Sequence, residues 1–338
     1  MRYVESLNDA LHTLMKEDET VLVLGQDIVD PYGGAFKVTK GLSTNFPGRV
    51  MATPISEAGI TGFATGLAMN GFKPVLEIMF GDFISLCADQ IINGASKYHW
   101  MYGEQFKVPL VIRTPMGGYA GFGPTHSQSL ESLFLGVPGI NIVAPSSYHN
   151  PGELLRATIL EMGLPTLFIE NKVLYPEQLK RVDKTGRIGN FFFERINKSN
   201  KSFSTVSLKV EKEEKADITL ISYGGVTLLA VEAALNLFIE EEIKVEILIP
   251  SIIKPVPIQD FLESVKESGR VVIVEEGVRT GGYGAEVASE ISERVFDYLE
   301  KPIFRVGAKD FPIPSSKELE RSFLPNQSDI ESAIKGLL

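Results

Sequence analysis

A repeated alternation constrains this chain most. A short apolar run closed by glycine or proline is followed by a helix-length amphipathic stretch, and then by another apolar run. Thr20–Leu24 ends at Gly25, and Arg49–Ala52 runs into Pro54. Pro74–Phe80, Pro109–Arg113, Asn141–Ala144 and Thr166–Glu170 follow, with helical patterns over 56–70, 83–98 and 152–162 between them. Val4, Leu7, Leu11, Leu14 and Met15, interleaved with Glu5, Asp9 and Lys16, mark an opening amphipathic helix. Parallel strands need a crossover of helical length, so this order predicts βαβ units and a parallel sheet.

The alternation returns after residue 216. Strands are expected over 217–223, 245–249, 270–275 and 302–306, and helices over 226–239, 258–267, 284–299 and 329–337. Between the halves the chain is polar, with Asn197-Lys-Ser-Asn-Lys-Ser202 and Glu211-Lys-Glu-Glu-Lys215. Phe191-Phe-Phe193 lies inside that stretch, and three consecutive phenylalanines predict that part of it packs on something. The expectation is an α/β chain with two parallel-sheet domains, 1–185 and 216–338, joined by a polar linker or excursion over 186–215. A length of 338 residues fits two domains, and a 44% hydrophobic content supplies a core to each.

Composition removes several classes of function. A net charge of −10 argues against nucleic acid, whose binding rests on basic side chains neutralising phosphates. One cysteine, Cys87, can form neither an intrachain disulfide nor a cysteine-based zinc site. No apolar run reaches the length of a membrane span, and the opening helix does not read as a signal peptide, so a cytoplasmic location is expected. The dinucleotide pattern G-x-G-x-x-G, the P-loop, G-x-S-x-G, H-E-x-x-H and C-x-x-C are all absent. Gly281-Gly-Tyr-Gly284 follows a strand and opens a helix, but with the wrong spacing for a dinucleotide.

The chemistry-bearing candidates are a glutamate, an aromatic and a histidine. In Thr53-Pro-Ile-Ser-Glu57-Ala-Gly-Ile-Thr-Gly62, Ser56 can cap a helix with Glu57 in its first turn, where the helix dipole favours a carboxylate. Alone, Glu57 reads as a helix-start charge. Gly59, Gly62 and Gly66 fall on one side of that helix; each weakens it by about 1 kcal/mol relative to alanine, which implies close approach by another backbone, though ordinary tight core packing explains them as well. Phe83 alone reads as core filler beside a strand end. His126 sits in a glycine-rich loop after a strand, where acid–base groups of open α/β sheets sit. His12, His99 and His149 read as structural.

Several blocks together resemble the beta subunits of the 2-oxo acid dehydrogenase family, the decarboxylating components of the pyruvate, branched-chain and acetoin dehydrogenase complexes. They are Pro54-Ile-Ser-Glu57-x-Gly59, Gly66-Leu-Ala-x-x-Gly71-x-x-Pro74, Phe80-Gly-Asp-Phe83, Ala88-Asp-Gln-Ile-Ile-Asn93, Lys107-Val-Pro-Leu-Val-Ile-Arg113 and Gly123-Pro-Thr-His126-Ser-Gln128. Further along come Gly139-x-x-Ile142-Val-Ala-Pro145, Val274-Glu-Glu-Gly277 and Gly281-Gly-x-Gly284-Ala-Glu286. The match covers nearly the whole chain outside roughly 175–215.

The resemblance implies a transketolase-like pyrimidine-binding domain followed by a transketolase C-terminal domain, and thiamine diphosphate as cofactor. Glu57 matches the glutamate that hydrogen-bonds the pyrimidine nitrogen and so helps the thiazolium carbon become a nucleophile. Phe83 matches the ring that stacks on the pyrimidine, and Met79 lies beside it among the cofactor-binding positions. His126 matches the histidine that steadies the intermediate and assists acyl transfer to lipoamide. The family also holds a structural potassium ion through carbonyls; the matching positions are Leu110, Thr158, Ile159, Glu161 and Gly163. Here the usual Arg-Asp-x-Asn-Pro turn reads Leu160-Glu-Met-Gly-Leu-Pro165.

In thiamine enzymes a Gly-Asp-Gly motif with a downstream asparagine holds the magnesium diphosphate. This chain has Gly81-Asp82-Phe83 and no Gly-Asp-Gly. The resemblance therefore implies an alpha subunit that carries that motif and the Mg2+. It further implies a second beta subunit in a two-alpha, two-beta assembly, and a lipoyl acyltransferase core as a docking partner. Two other readings stay open on the sequence: the C-terminal half of a split transketolase-type enzyme acting on sugar phosphates, and a non-catalytic α/β subunit. The Pro-Thr-His-Ser-Gln block speaks against the first, and the joint presence of Glu57, Phe83 and His126 against the second.

Overall fold

In the computed structural model, which describes residues 1–212 and 214–338, the chain forms two seven-stranded sheets with helices on their faces. The first sheet contains β1 (Val21–Gly25), β2 (Val50–Ala52), β3 (Lys73–Glu77), β4 (Val111–Met116), β5 (Asn141–Val143) and β6 (Thr166–Asn171). The second contains β7 (Arg187–Ile188), β8 (Phe191–Ile196), β9 (Thr205–Lys209), β10 (Ile218–Ser222) and β11 (Val245–Pro250). A short strand, β12 (Ile252–Lys254), follows, and then β13 (Val271–Val278) and β14 (Phe304–Ala308).

The first sheet runs in the order β12-β5-β6-β4-β3-β1-β2 and is parallel from β5 to β2. Its central strands are buried end to end, as expected where helices cover both faces; β1 is apolar throughout, and β4 and β6 are apolar apart from residues such as Arg113 and Glu170. The opening helix Tyr3–Glu17 buries Leu7, Leu11, Leu14 and Met15 against one face. Asn150 caps the helix Pro151–Glu161 by accepting the amides of Gly152 and Glu153, with Pro151 at the first position, where its missing N–H costs nothing.

Three expectations change. The span 83–98, read as one helix, is a 3-10 stretch Gly81–Cys87, a π-helical turn Gln90–Ala95 and a short α-helix Ser96–Met101; such breaks in helical register mark places where side chains are re-aimed. Residues 186–215, read as a linker, supply β7, β8 and β9, an antiparallel wing that extends the second sheet beyond β11. Phe191 is buried there, with Phe192 and Phe193 half-buried. Both sheets are accordingly mixed, not wholly parallel.

The third change is at the boundary between halves. β12 leaves the second half and pairs antiparallel with β5, completing the edge of the first sheet. Lys254, at its end, donates to the carbonyls of Phe134 and Leu135, at the open C-terminal end of the short helix Ser132–Leu135, and to that of Val137 just beyond it. One hydrophobic cluster contains Leu76, Ile112 and Ile142 of the first sheet together with Ile221, Ile253, Ile273 and Tyr283 from the second half, and the Tyr223 hydroxyl donates to Glu131 across the same interface. The two halves are packed into each other.

Candidate active site

Parallel strands of an open sheet end on one edge, and the turns leaving that edge gather there whatever their separation in sequence. β1 ends at Gly25 and delivers Gln26; β2 ends at Ala52 and delivers Glu57; β3 delivers Met79, Phe80 and Phe83; β4 delivers the loop 117–130 with His126; β6 delivers Lys172. Glu57, Phe83 and His126, chosen from sequence, therefore emerge from the same edge.

Glu57 is the first residue of the helix Glu57–Met69. Ser56 is its N-cap by position but makes no side-chain cap hydrogen bond. The carboxylate is buried at 8% exposure, and its Oε1 accepts the Gln26 side-chain amide at 3.0 Å. Among the described residues, its Oε2 has no hydrogen-bond partner. Ile60, Thr61, Ala64, Thr65 and Ala68 form the buried side of the helix. On the other side Gly62 and Phe63 are exposed, and a side chain at Gly66 would meet nothing within 4 Å. The close approach expected for these glycines is not made within this chain. Ile55, two residues before Glu57, is 84% exposed.

Phe83, Phe80 and His126 form one aromatic group. The His126 ring lies edge-on to Phe80 at 4.7 Å between centroids and to Phe83 at 5.2 Å. Thr125 Oγ1 is 3.0 Å from His126 Nδ1. Met79 is half-buried at the end of β3. Asp82 takes both the backbone and side-chain amides of Gln128 on Oδ1, which ties the Phe83 segment to the His126 loop.

Beneath this edge lies a buried ion network spread over three adjacent strands. Arg113 on β4 grips Glu170 on β6 through two nitrogens, at 2.6 and 2.7 Å, and Glu77 on β3 at 2.7 Å. Tyr175 donates to Glu170 at 2.7 Å. Burial opposes the charge on Arg113, but Glu170 and Glu77 hold its pKa above the usual value. Sequence reading placed Arg113 only at the end of a motif; a charge inside an apolar strand was the available signal.

The remaining candidates separate from this site. Leu110 and Gly163, proposed potassium positions, lie at the opposite edge of the sheet, where their carbonyls accept the amides of Thr166 and Val108. Thr158, Ile159 and Glu161 come from the nearby helix Pro151–Glu161, and the Glu161 carboxylate accepts the Ser202 hydroxyl. His12, His99 and His149 bond to the Asn8 carbonyl, the Phe106 carbonyl and Ser146 respectively. Burial drops the His149 pKa to about 3.

This two-sheet architecture is that of transketolase-type proteins. Residues 1–178 match the family described as transketolase, pyrimidine binding domain, and residues 207–330 match transketolase, C-terminal domain. A solved chain titled split gene transketolase, inactive beta4 tetramer superposes with a TM-score of 0.74, covering 100% of this chain and 98% of that one; at 21% identity it speaks for the fold alone. The protein is 35% identical over 332 residues to the pyruvate dehydrogenase E1 component subunit beta of Rickettsia bellii, covering 98% of this chain and 96% of the relative. The Arabidopsis thaliana mitochondrial beta-1 subunit is 37% identical (98% and 87% covered), and the Staphylococcus epidermidis subunit 36% (100% and 98%). The chain belongs to this family of E1 beta subunits, the transketolase-like components of 2-oxo acid dehydrogenases. Among the described residues, no helix is long and apolar enough to cross a membrane.

Proposed function

We propose that this chain supplies the pyrimidine half of a thiamine-diphosphate site and, with an alpha subunit, catalyses oxidative decarboxylation of a 2-oxo acid and acyl transfer to lipoamide. The observation that carries the reading is Glu57: a carboxylate 8% exposed at a helix start, one oxygen fixed by Gln26 and the other without a donor among the described residues. That donor set fits a ring nitrogen able to share a proton. Bound, the cofactor supplies a carbon nucleophile and an electron sink. The protein's part is to hold a proton at Glu57, to offer an aromatic wall at Phe83 and Met79, and to present His126 where the acyl group is handed on.

The other half of the cofactor belongs to a partner. Asp82, in Gly81-Asp82-Phe83, accepts the Gln128 side-chain amide on one carboxylate oxygen, and the sequence carries no Gly-Asp-Gly to hold a magnesium diphosphate. The uncovered side of helix Glu57–Met69, with Phe63 and the neighbouring Ile55, suits a close contact with another subunit in a two-alpha, two-beta assembly. Mg2+ then comes mainly with the alpha chain, and the acyltransferase core is the acceptor's carrier. The carbonyls at Leu110, Thr158, Ile159, Glu161 and Gly163 are the oxygen donors a structural K+ would use.

The test is to assay the purified chain alone, and co-purified with a chain bearing Gly-Asp-Gly, against several 2-oxo acids with thiamine diphosphate and Mg2+. Turnover by the pair and none by the single chain is expected. Decarboxylation by the chain alone would overturn the half-site reading, and turnover of sugar phosphates in place of 2-oxo acids would favour the split-transketolase reading.

A further inference from the structure

The loop 117–130 that carries His126 is held from outside itself at almost every turn. Gly117 donates to the Gln128 carbonyl at 3.3 Å and closes the loop on itself. Gly118 donates its amide to Glu276 on β13, and Glu276 also accepts the Asn171 side-chain amide at 2.6 Å. Gly121 donates to Glu320, in the helix Lys317–Phe323, at 2.8 Å. The Tyr119 hydroxyl donates to the Pro325 carbonyl at 2.7 Å. The loop needs left-handed backbone at Gly117, Tyr119, Gly121 and Gly123. A side chain at Gly121 or Gly123 would run into Lys317 or Ser315 of the C-terminal half.

At the centre is Lys172, the residue after β6 and its Asn171. It is only 5% exposed, and its ammonium donates to the main-chain carbonyl of His126 itself. The same ammonium stands 5.4 Å from the Phe80 ring centroid and 5.6 Å from that of Phe122, within range of a cation–π attraction. Burying a lone ammonium is costly, and a chain does so where partners compensate. The charged groups that face it are Asp82 after β3, Glu276 on β13 and Glu320 in the C-terminal helix. Asp82 and Glu320 each keep one buried carboxylate oxygen without a hydrogen-bond partner among the described residues, and both lie near enough to Lys172 to favour its charge.

We propose that Lys172 is a positioning residue for His126, and that Glu276 and Glu320 make the C-terminal half a structural part of the active-site loop. The inference rests on His126 acting in the reaction proposed above. Lys172 acts through His126 rather than on substrate or cofactor. It fixes the backbone of His126, and the two glutamates fix the loop's other end, so the imidazole meets the aromatic pair Phe80–Phe83 in one pose. Burial brings the Lys172 pKa down to about 8, while the three carboxylates pull it back up. The ammonium is therefore lost as pH rises through about 8, and the hold on the loop weakens on the alkaline side.

The experiment has one arm independent of activity. Hydrogen exchange on the full chain compares wild type with Lys172→Met, and with Lys172→Gln should the methionine variant fail to fold. Faster exchange confined to 117–130, with β4 and β6 unchanged, is expected; unchanged loop exchange overturns the proposal whatever the enzyme does. In the co-purified complex, Lys172→Met should lower kcat about 10- to 100-fold with little change in KM, the usual effect of a misplaced catalytic group. Adding it to His126→Ala should cost nothing further, whereas independent roles would multiply. Lys172→Arg should restore most of kcat and carry the alkaline fall in rate to higher pH. An active complex in which Lys172→Met is silent, or multiplies with His126→Ala, sinks this proposal and leaves the proposed reaction standing. A complex with no 2-oxo acid turnover sinks the reaction, and the exchange result still decides the loop.

Discussion

Glu57 and His126 leave the same sheet edge into opposite kinds of surroundings. His126 rides on a loop anchored to Asp82, Lys172, Glu276, Glu320 and Pro325, all in its own chain. Glu57 opens a helix whose far side is left largely uncovered among the described residues: Gly62 and Phe63 are exposed, and a side chain at Gly66 would meet nothing within 4 Å. The difference teaches which part of the site is finished. The His126 side is built by one chain folding on itself; under the function proposed above, the Glu57 side is the one left for contact with a second chain. Glycine serves both, but at Gly121 it meets a backbone requirement (φ +78°) and at Gly62 it keeps a surface flat.

The comparison can be broken by substitutions, ordered here by their effect on the chain's own stability. Arg113→Met should be largest. It strands Glu77 and Glu170 without their cation beneath both sides, so a loss of about 3–5 kcal/mol in denaturant unfolding is expected, and both sides should fail together. Gly121→Ala should cost about 1–3 kcal/mol, because alanine would have to hold a left-handed backbone and its added carbon would come 2.9 Å from Lys317 Cγ; its activity loss should mirror that of His126 variants. Gly62→Leu should change the stability of the isolated chain by less than about 1 kcal/mol, since the nearest atom is Gln90 Cγ at 3.8 Å, yet should prevent assembly seen by sedimentation. A Gly62→Leu chain that still assembles would mean that this face is not the contact.

His149 supplies a control against His126. Its folded-state pKa of about 3 lies below the ordinary 6.5, so the folded chain holds it neutral while the unfolded chain takes up a proton. Its contribution to stability is complete above about 6.5 and is lost progressively as pH falls towards about 3. His149→Gln should flatten the acid decline of unfolding free energy in that window and leave turnover unchanged. A turnover loss there would put the histidine assignment in question.

How legible this was from sequence varied with how local each signal is. Buried, mainly apolar strands such as β1 and β4 announced the parallel sheet because both their faces are covered. The wing β7–β9 did not: β7 is two residues long, β8 carries the exposed Glu194 and Arg195 near its end, and the lysine-bearing turn at 197–202 hides the hairpin in a linker-like composition. β12 is three residues long and finds its partner in the other half, so no local pattern marks it. Glu57, Phe83 and His126 were found by resemblance, their motifs being contiguous. Lys172, Glu276 and Glu320 were not, because their meaning lies in pairings across the fold; Gly121 and Glu320 are 199 residues apart. Gln26, one residue past β1, was missed because nothing about a glutamine after a glycine says that it faces a carboxylate 31 residues on.

The most direct test of the central claim is turnover by the co-purified complex carrying Glu57→Gln. Gln fills the same space, so the complex should assemble and bind cofactor normally. Without a carboxylate to share the pyrimidine proton, decarboxylation of the 2-oxo acid should fall by about 10²- to 10⁴-fold, the usual worth of a positioned acid–base group. An assembled, cofactor-loaded Glu57→Gln complex that turns over at the wild-type rate would contradict the account.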